Sequence, residues 1–343
     1  MTVTAGYDVG GAHLKVARIE DGRVAAVRQI ACPLWQGLDR LDTALDQARN
    51  VTRDASHHAV TMTGELCELF PTRREGVLML SRHITQRLGP ATRFYMGLKY
   101  MGLKGFGDAA TVAADPDAVA SANFLATAQA VARLKPHALL IDMGSTTTDI
   151  IACDRPQGLT DAERMQTGEL VYTGFTRTPV SAVTTRAILT GQWQSLARDA
   201  FATMADVRRV LDELPDEVDL HATADGRGKT LAESLARLAR GFGRDGEMRH
   251  LESWRIAAAY IREQQLRSVH DGALQIVSRP GLDVSGGVVA AGIGAPVAHA
   301  IARRLALPSN PFGELIGATG ETALWATRCA PAVAVAMLRN HSA

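Results

Sequence analysis

The sequence predicts an α/β protein of two similar halves that face each other across a central cleft, with a mostly helical insertion in the second half. Three observations predict this. The chain has 343 residues, too many for one ordinary core and suited to two domains of roughly 150 residues. It opens with short strands joined by glycine turns and continues with alternating helices and strands. The opening pattern, Val3 to Val9, Gly10-Gly11, Leu14 to Ile19, then returns as Ala138 to Met143, Gly144, Thr147 to Cys153, and such an internal echo points to repeated architecture.

The elements follow in order. Strands are expected at Val3 to Val9, Leu14 to Ile19 and Val24 to Ala31, the last two joined by the turn Glu20-Asp21-Gly22-Arg23, as an antiparallel meander. Hydrophobic periodicity then predicts a helix over Leu38 to Asn50, a strand over Ala59 to Thr63, a helix over Arg73 to Leu88, a strand over Thr92 to Met96 and a helix over Asp117 to Leu134. A five-stranded mixed sheet with a hairpin start and helical crossovers is the topology of the ribonuclease-H-like half of actin-type ATPase folds, which place ligands at strand C-terminal ends. The expected domains are 1–136 and 137–343, with an insertion at about 179–267 that contains helices at Ala205 to Leu214, Thr230 to Phe242 and Leu251 to Arg267. The second sheet is expected to resume at Gly272 to Val277 and Val284 to Ala291.

Bulk properties exclude several classes. Hydrophobic residues at 46% and charged residues at 21% are ordinary for a globular chain and argue against disorder. A formal charge of +1 supplies no long-range field for nucleic acid or an anionic membrane, so neither is an expected partner. The N-terminus lacks a basic segment followed by an apolar core, and no run of about 18 apolar residues occurs; a cytoplasmic location is expected. Cys32, Cys67, Cys153 and Cys329 stand far apart without zinc-ligand spacing and read as reduced thiols.

Two loops carry the chemistry. In Asp8-Val9-Gly10-Gly11-Ala12-His13-Leu14-Lys15 an acid ends a buried strand, and glycines let backbone N–H groups approach a ligand oxygen. In Asp142-Met143-Gly144-Ser145-Thr146-Thr147-Thr148-Asp149 the same arrangement precedes four hydroxyl residues and a second acid. Hydroxyls and N–H groups suit phosphate oxygens, while Asp8 and Asp142 suit Mg²⁺, which keeps several of its waters. Either loop alone is a common tight turn. The pair, 134 positions apart and each starting its own sheet, predicts a phosphate and Mg²⁺ site across the cleft.

Other stretches leave two readings open. Gly292 and Gly294, after the strand from Ser285, either meet the adenosine of ATP or ADP or serve close packing of a strand-to-helix turn. Glu65, after Thr63-Gly64, is a candidate general base or a helix-start carboxylate. Lys99 and Lys104, in a glycine-rich loop, either reach phosphate or are solvated. Asp225-Gly226-Arg227-Gly228-Lys229 is an anion site or the loop before a helix, and His57-His58 reads as a solvated strand start. His13 either touches phosphate or is an ordinary turn residue. Ala330 to Leu338 is a homodimer interface or a core helix.

The two loops, with Met62-Thr63-Gly64-Glu65-Leu66, Gly168-Glu169-Leu170-Val171-Tyr172-Thr173-Gly174 and Thr223-Ala224-Asp225-Gly226, resemble the hydantoinase A-like proteins over nearly the whole chain. Within them the sequence is most similar to the tetrahydromethanopterin-linked one-carbon pathway group of methylotrophs and methanogens. The resemblance implies a Mg²⁺-dependent transferase of methanofuran or methylofuran biosynthesis. Its substrates would be a small-molecule diphosphate ester, an aminomethylfuran methyl diphosphate, and a phenolic amine, γ-glutamyltyramine, with pyrophosphate released. Asp8 and Asp142 would carry the metal, Gly10, Gly11, Ser145, Thr146 and Thr147 the phosphate oxygens, and Lys15 a point charge. One departure stands out: common actin-type phosphate loops carry Thr or Ser where this chain has Gly11, which removes a hydroxyl contact and weakens the case for ordinary ATP phosphotransfer. The alternatives are an ATP-dependent kinase or hydantoinase-like hydrolase, and a nucleotide-binding protein without catalysis.

Overall fold

The computed structural model describes residues 2–97 and 105–340. β1 (Val3–Val9), β2 (His13–Glu20) and β3 (Arg23–Ala31) form the antiparallel meander; α1 (Leu38–Thr52) leads to β4 (His57–Met62), and α2 (Arg73–Leu88) to β5 (Thr92–Tyr95). β4 runs parallel to β1, and β5 parallel to β4. A two-residue β6 (Phe106–Gly107) adds an antiparallel edge, and α3 (Ala109–Ala114) and α4 (Asn123–Leu134) end the first half. Every residue of β1 is buried, as expected for a strand covered on both faces. α1 buries Leu41, Ala44, Leu45, Ala48 and Val51, one stripe of a 3.6-residue period. α2 starts where Thr72 accepts the Glu75 N–H as its N-cap.

The second half repeats the plan with β7 (Leu139–Met143), β8 (Thr148–Ala152), α5 (Asp161–Thr167) and β9 (Leu170–Val171). The insertion holds α6 (Val180–Val183), β10 (Arg186–Leu189), β11 (Gln192–Ser195), α7 (Met204–Val210), α8 (Leu231–Gly241) and the long α9 (Leu251–Val277). β12 (Val288–Ala291), α10 (Ala295–Arg304), β13 (Ser309–Pro311), α11 (Phe312–Leu315), α12 (Gly320–Arg328) and α13 (Ala330–Asn340) complete the chain. The sheet orders are β3-β2-β1-β4-β5-β6 and β9-β8-β7-β12-β13. In both, three antiparallel strands are followed by two parallel ones, so the two ribonuclease-H-like halves of an actin-type fold are present.

Several elements differ from expectation. The strand expected at Gly272 to Val277 is the last part of α9: Ala257, Ile261, Gln265, Val269, Ala273 and Ile276 extend one buried helical stripe, which outweighs the short apolar run at its end. Gly272 is there for packing, since a Cβ would sit 2.9 Å from Val171 Cγ2. The mostly helical insertion also carries an unexpected hairpin, β10 and β11, whose turn residues Thr190 and Gly191 both have positive φ, at 49° and 77°, the backbone of a two-residue hairpin turn. The helix expected from Asp117 begins only at Asn123, because Ser121 takes a left-handed φ of 49° and breaks it. The strand expected from Val284 starts at Val288, after the positive φ of Gly287 at 72°.

One hydrophobic core joins the halves: Phe124, Ala128 and Val131 of α4 and Val333, Ala334 and Leu338 of α13 pack with Ala17, Ala59, Leu140, Ile151 and Val289 of the two sheets. The C-terminal helix is therefore a core element that returns to the first sheet, and not an exposed interface. Its approach to β1 requires Gly6, where a Cβ would lie 2.0 Å from the Ala332 carbonyl oxygen. The outer faces are covered by α1 and α2 on one side and by α9 and α10 on the other, and the insertion has a core of its own.

Candidate active site

The two hairpins are built alike. Gly10 N–H donates to the His13 carbonyl at 3.0 Å, and Gly144 N–H to the Thr147 carbonyl at 2.9 Å. Asp8 is paired across its hairpin with Lys15, and Asp142 with Asp149. Asp8, Gly10, Gly11, His13, Lys15, Asp142, Gly144, Ser145, Thr146, Thr147 and Asp149 all line one cleft of about 310 Å³. The structure thus brings together nearly the whole set that the sequence singles out.

The second hairpin is tied down from behind. Phe175 N–H donates to the Gly144 carbonyl and Arg177 N–H to the Ser145 carbonyl, each at 2.8 Å. Gly174 permits this approach, because a Cβ there would stand 2.3 Å from the Thr146 nitrogen. A loop held by its carbonyls keeps the hydroxyls of Ser145 to Thr147 in place on the cleft side.

The electrostatics are those of an anion and cation site lying together. The Lys15 ammonium is 3.3 Å from Asp8 Oδ2. Burial opposes its charge, but Asp8 and Asp142 together outweigh burial and hold it above the usual lysine value. Burial pushes Asp142 up to about 7; Lys15 opposes the rise, and Asp149 and Asp8 add to it. Asp149 is also raised by burial, against the counter-effect of Arg164, its ion-pair partner. Asp8 Oδ1 is buried and has no hydrogen-bond partner among the described residues. An orphaned carboxylate oxygen beside a second carboxylate deprived of water is what a Mg²⁺ site with two protein oxygens needs. No cluster of three or more metal-binding side chains occurs among the described residues, and Mg²⁺ completes its shell with water and phosphate oxygens. The donor set fits the metal on those terms.

Other expected residues sit elsewhere. Glu65 lies behind the cleft wall, 1% exposed, and bonds Ser121, which does line the cleft. Gly292 and Gly294 are packed on Met143: a Cβ on Gly292 would be 2.2 Å from the Met143 carbonyl, and one on Gly294 would be 2.5 Å from Met143 Cγ. Close packing accounts for both glycines. Asp225 holds Arg237 and Arg240, and Lys229 reaches Asp219, so that loop is occupied in structural ion pairs. His57-His58 is half-buried rather than solvated, with His58 Nδ1 2.9 Å from the Tyr7 hydroxyl. Lys99 and Lys104 lie outside the described residues. The four cysteines are all buried and free.

Some residues come to the site without a sequence signal. Gln29 of β3 stands opposite Lys15, buried with its Nε2 unpartnered among the described residues; its inward place in the strand is a weak clue. At the mouth, Trp35 and Tyr172 are 37% and 65% exposed. The Arg177 guanidinium lies 5.2 Å over the Trp35 ring. The His221 ring is 5.7 Å from Trp35 and 4.5 Å from His13. Burial, aided by neighbouring cations, lowers His13 well below its usual value and His221 to about 4, so both rings are neutral near pH 7.

Two ribonuclease-H-like halves with mirrored Asp-Gly hairpins across a cleft define a protein of the actin-type fold class. The chain belongs to the hydantoinase/oxoprolinase family, which it matches over residues 57–340. It is 32% identical over 252 residues, 71% of this chain and 72% of the relative, to the furan-methanamine synthase of Methanocaldococcus jannaschii, whose name specifies a γ-glutamylaminoethyl-phenoxymethyl substituent on the furan. The enzyme of the same name from Methanococcus vannielii is 32% identical over 130 residues, 37% of this chain and 59% of the relative. Among solved structures, component A of Acidaminococcus fermentans (R)-2-hydroxyglutaryl-CoA dehydratase is similar over all of both chains at 13% identity and TM-score 0.47. A ROK family glucokinase from Streptomyces griseus is similar at 15% identity and TM-score 0.45, covering 97% of this chain and 98% of the other. No helix among the described residues is long and apolar enough to cross a membrane.

Proposed function

We propose that the chain is a transferase of methanofuran-type cofactor biosynthesis that joins an aminomethylfuran methyl diphosphate to γ-glutamyltyramine and releases pyrophosphate. The observation that carries this reading is the convergence of both Asp-Gly hairpins on one cleft. It is supported by the 32% identity to relatives whose named product contains the corresponding phenoxymethyl-furan ether. In the reaction the carbon–oxygen bond to the diphosphate breaks and its electron pair leaves with pyrophosphate. The phenol oxygen forms the new bond to the furan-methyl carbon, and the phenol proton passes to a base.

Asp8 and Asp142 would hold Mg²⁺, which when bound supplies positive charge to the departing diphosphate. Lys15 adds a fixed charge, and the hairpin N–H groups of Gly10, Gly11 and Gly144 with the hydroxyls of Ser145, Thr146 and Thr147 orient the phosphate oxygens. The furan ring can share positive charge at its methyl carbon, so loss of the leaving group can run ahead of attack. Trp35 and Tyr172 offer flat surfaces for an aromatic ring at the mouth, and Arg177 offers a cation for the glutamyl carboxylate.

The test is pyrophosphate release with Mg²⁺, the furan diphosphate and the tyramine acceptor, beside an ATP-only control and an Asp142→Ala variant. Release that needs both substrates and disappears in the variant supports the reading, and ATP turnover without ether formation sinks it. That second outcome would favour the kinase or hydrolase reading. One observation suits that reading: a cavity of about 670 Å³ beside α10, lined by Arg208, Arg262, Pro296, Ala300 and Arg303, is large enough for a nucleoside. Nucleotide binding with no turnover of any kind would instead point to a non-catalytic protein.

A further inference from the structure

The wall of the cleft contains a serine in a backbone conformation that serine rarely adopts. Ser121 has a φ of 49° and is 4% exposed; this left-handed residue stops the helix that the flanking sequence would otherwise form. The bend leaves its hydroxyl between three surroundings. Arg73 Nη2 donates to Ser121 Oγ at 3.0 Å, and Oγ donates to Glu65 Oε1 at 2.9 Å. The residue also lines the same cleft as Asp8 and Asp142. A hydroxyl has one proton and two acceptor sites. The proton is directed to Glu65 and one acceptor site to Arg73, so the remaining acceptor site is free for an O–H group in the cleft.

Glu65 is equipped to receive what Ser121 passes on. Its Oε2 is buried with no partner among the described residues, and Gly76 of α2 lies against its backbone, where a Cβ would be 2.8 Å from the Glu65 carbonyl. The charged and titratable groups facing it are Arg73 of α2, 3.7 Å away, and the Cys67 thiol. Arg73 is shared with Asp161 of α5 at 3.6 Å. Burial outweighs Ser121 and Arg73 and pushes the Glu65 carboxyl up to about 7, where a carboxylate serves well as a base near neutral pH.

We propose that Ser121 is a catalytic residue that accepts the phenol proton of the acceptor while handing its own proton to Glu65. This rests on the transferase reading above. The phenol O–H bond breaks as its oxygen bonds to the furan-methyl carbon. The phenol proton moves to Ser121 Oγ, the Ser121 proton moves to Glu65 Oε1, and the electron pair of the broken carbon–oxygen bond leaves with pyrophosphate. Glu65 gains one proton per turnover and loses it to solvent after product departs. Glu65 never touches substrate, which agrees with its place behind the wall.

The experiment measures kcat for wild type, Ser121→Ala, Glu65→Gln and the double variant with the furan diphosphate and two acceptors, tyramine and a more acidic ring-fluorinated tyramine. Either single variant is expected to lose about 10²–10⁴-fold with tyramine, and the double variant no more than the worse single one. The loss should shrink at least about tenfold with the fluorinated acceptor, because a more acidic phenol needs less help from a base. The wild-type rate should rise with pH through about 7, and Glu65→Gln should abolish that rise. Losses under about threefold, or losses independent of acceptor acidity, overturn the relay while leaving the transferase reading intact. A wild type that forms no ether with either acceptor sinks the transferase reading and the relay with it. If Ser121→Ala fails to fold, Glu65→Gln decides by the same comparison.

Discussion

Replacing Glu65 with glutamine should shift stability relative to wild type in the variant's favour as pH rises through neutrality, although it removes a buried ionisable group. In the folded protein burial raises the Glu65 carboxyl from its usual 4.5 to about 7, so the folded state binds a proton more tightly than the unfolded one. Stability from such a group is complete below pH 4.5 and is lost as pH rises through about 7. At about 1.4 kcal/mol per pH unit, the loss amounts to about 3 kcal/mol. A glutamine side chain cannot ionise, so the variant escapes this loss; its amide NH₂ would stand where Oε2 has no partner among the described residues, and its unpaired donors cost about 1–3 kcal/mol each, a term that does not change with pH. Chemical unfolding of both proteins at about pH 5 and pH 8.5 isolates the effect, since the raised Asp142 and Asp149 act equally in both and cancel. The stability difference, variant minus wild type, should move in the variant's favour by about 2.5 kcal/mol over that range. A difference that stays constant within about 0.5 kcal/mol would show that Glu65 is ionised at ordinary pH and would refute the reasoning.

Other substitutions test other parts of the structure. Lys15→Met removes the cation between Asp8 and Asp142 and should cost about 3–5 kcal/mol, partly recovered by added Mg²⁺, as read by the melting temperature with and without the metal. Gly174→Ala drives a Cβ into the backbone of Ser145 and Thr146; pyrophosphate binding measured by calorimetry should weaken at least about tenfold. Gly6→Ala places a Cβ against the Ala332 carbonyl and should destabilise by more than about 4 kcal/mol, with amide exchange accelerated first in α13.

Much of the site was legible because it is local. Asp-x-Gly at a strand end, followed by a strand, specifies a hairpin by turn chemistry alone, and both hairpins adopted the same closing hydrogen bond. The boundaries of α2 at Arg73 and Leu88, read from hydrophobic periodicity, hold in the structure, with Thr72 capping the first turn and Gly89 following the last. The reading failed where a short pattern fitted two periods. Gly272 to Val277 is a short, mostly apolar run like a buried strand, yet belongs to a helix whose buried stripe began some twenty residues earlier. Gly292 and Gly294 were open to two readings because a glycine required by a ligand and one required by Met143 look alike in sequence.

By itself the sequence determined the duplicated strand–hairpin plan, the two acids and the hydroxyl run, since these depend on residues within one turn of each other. The tertiary structure alone decided that Ser121 should be left-handed, that it should stand between Arg73 and Glu65, and that Arg164 should neutralise Asp149. It also decided that Trp35, Arg177 and His221 should meet at one mouth. These partners are far apart in the chain, and only the fold brings them together. The proton affinity of a buried carboxyl follows the same rule, because it is set by which groups packing removes from water and which it leaves as partners.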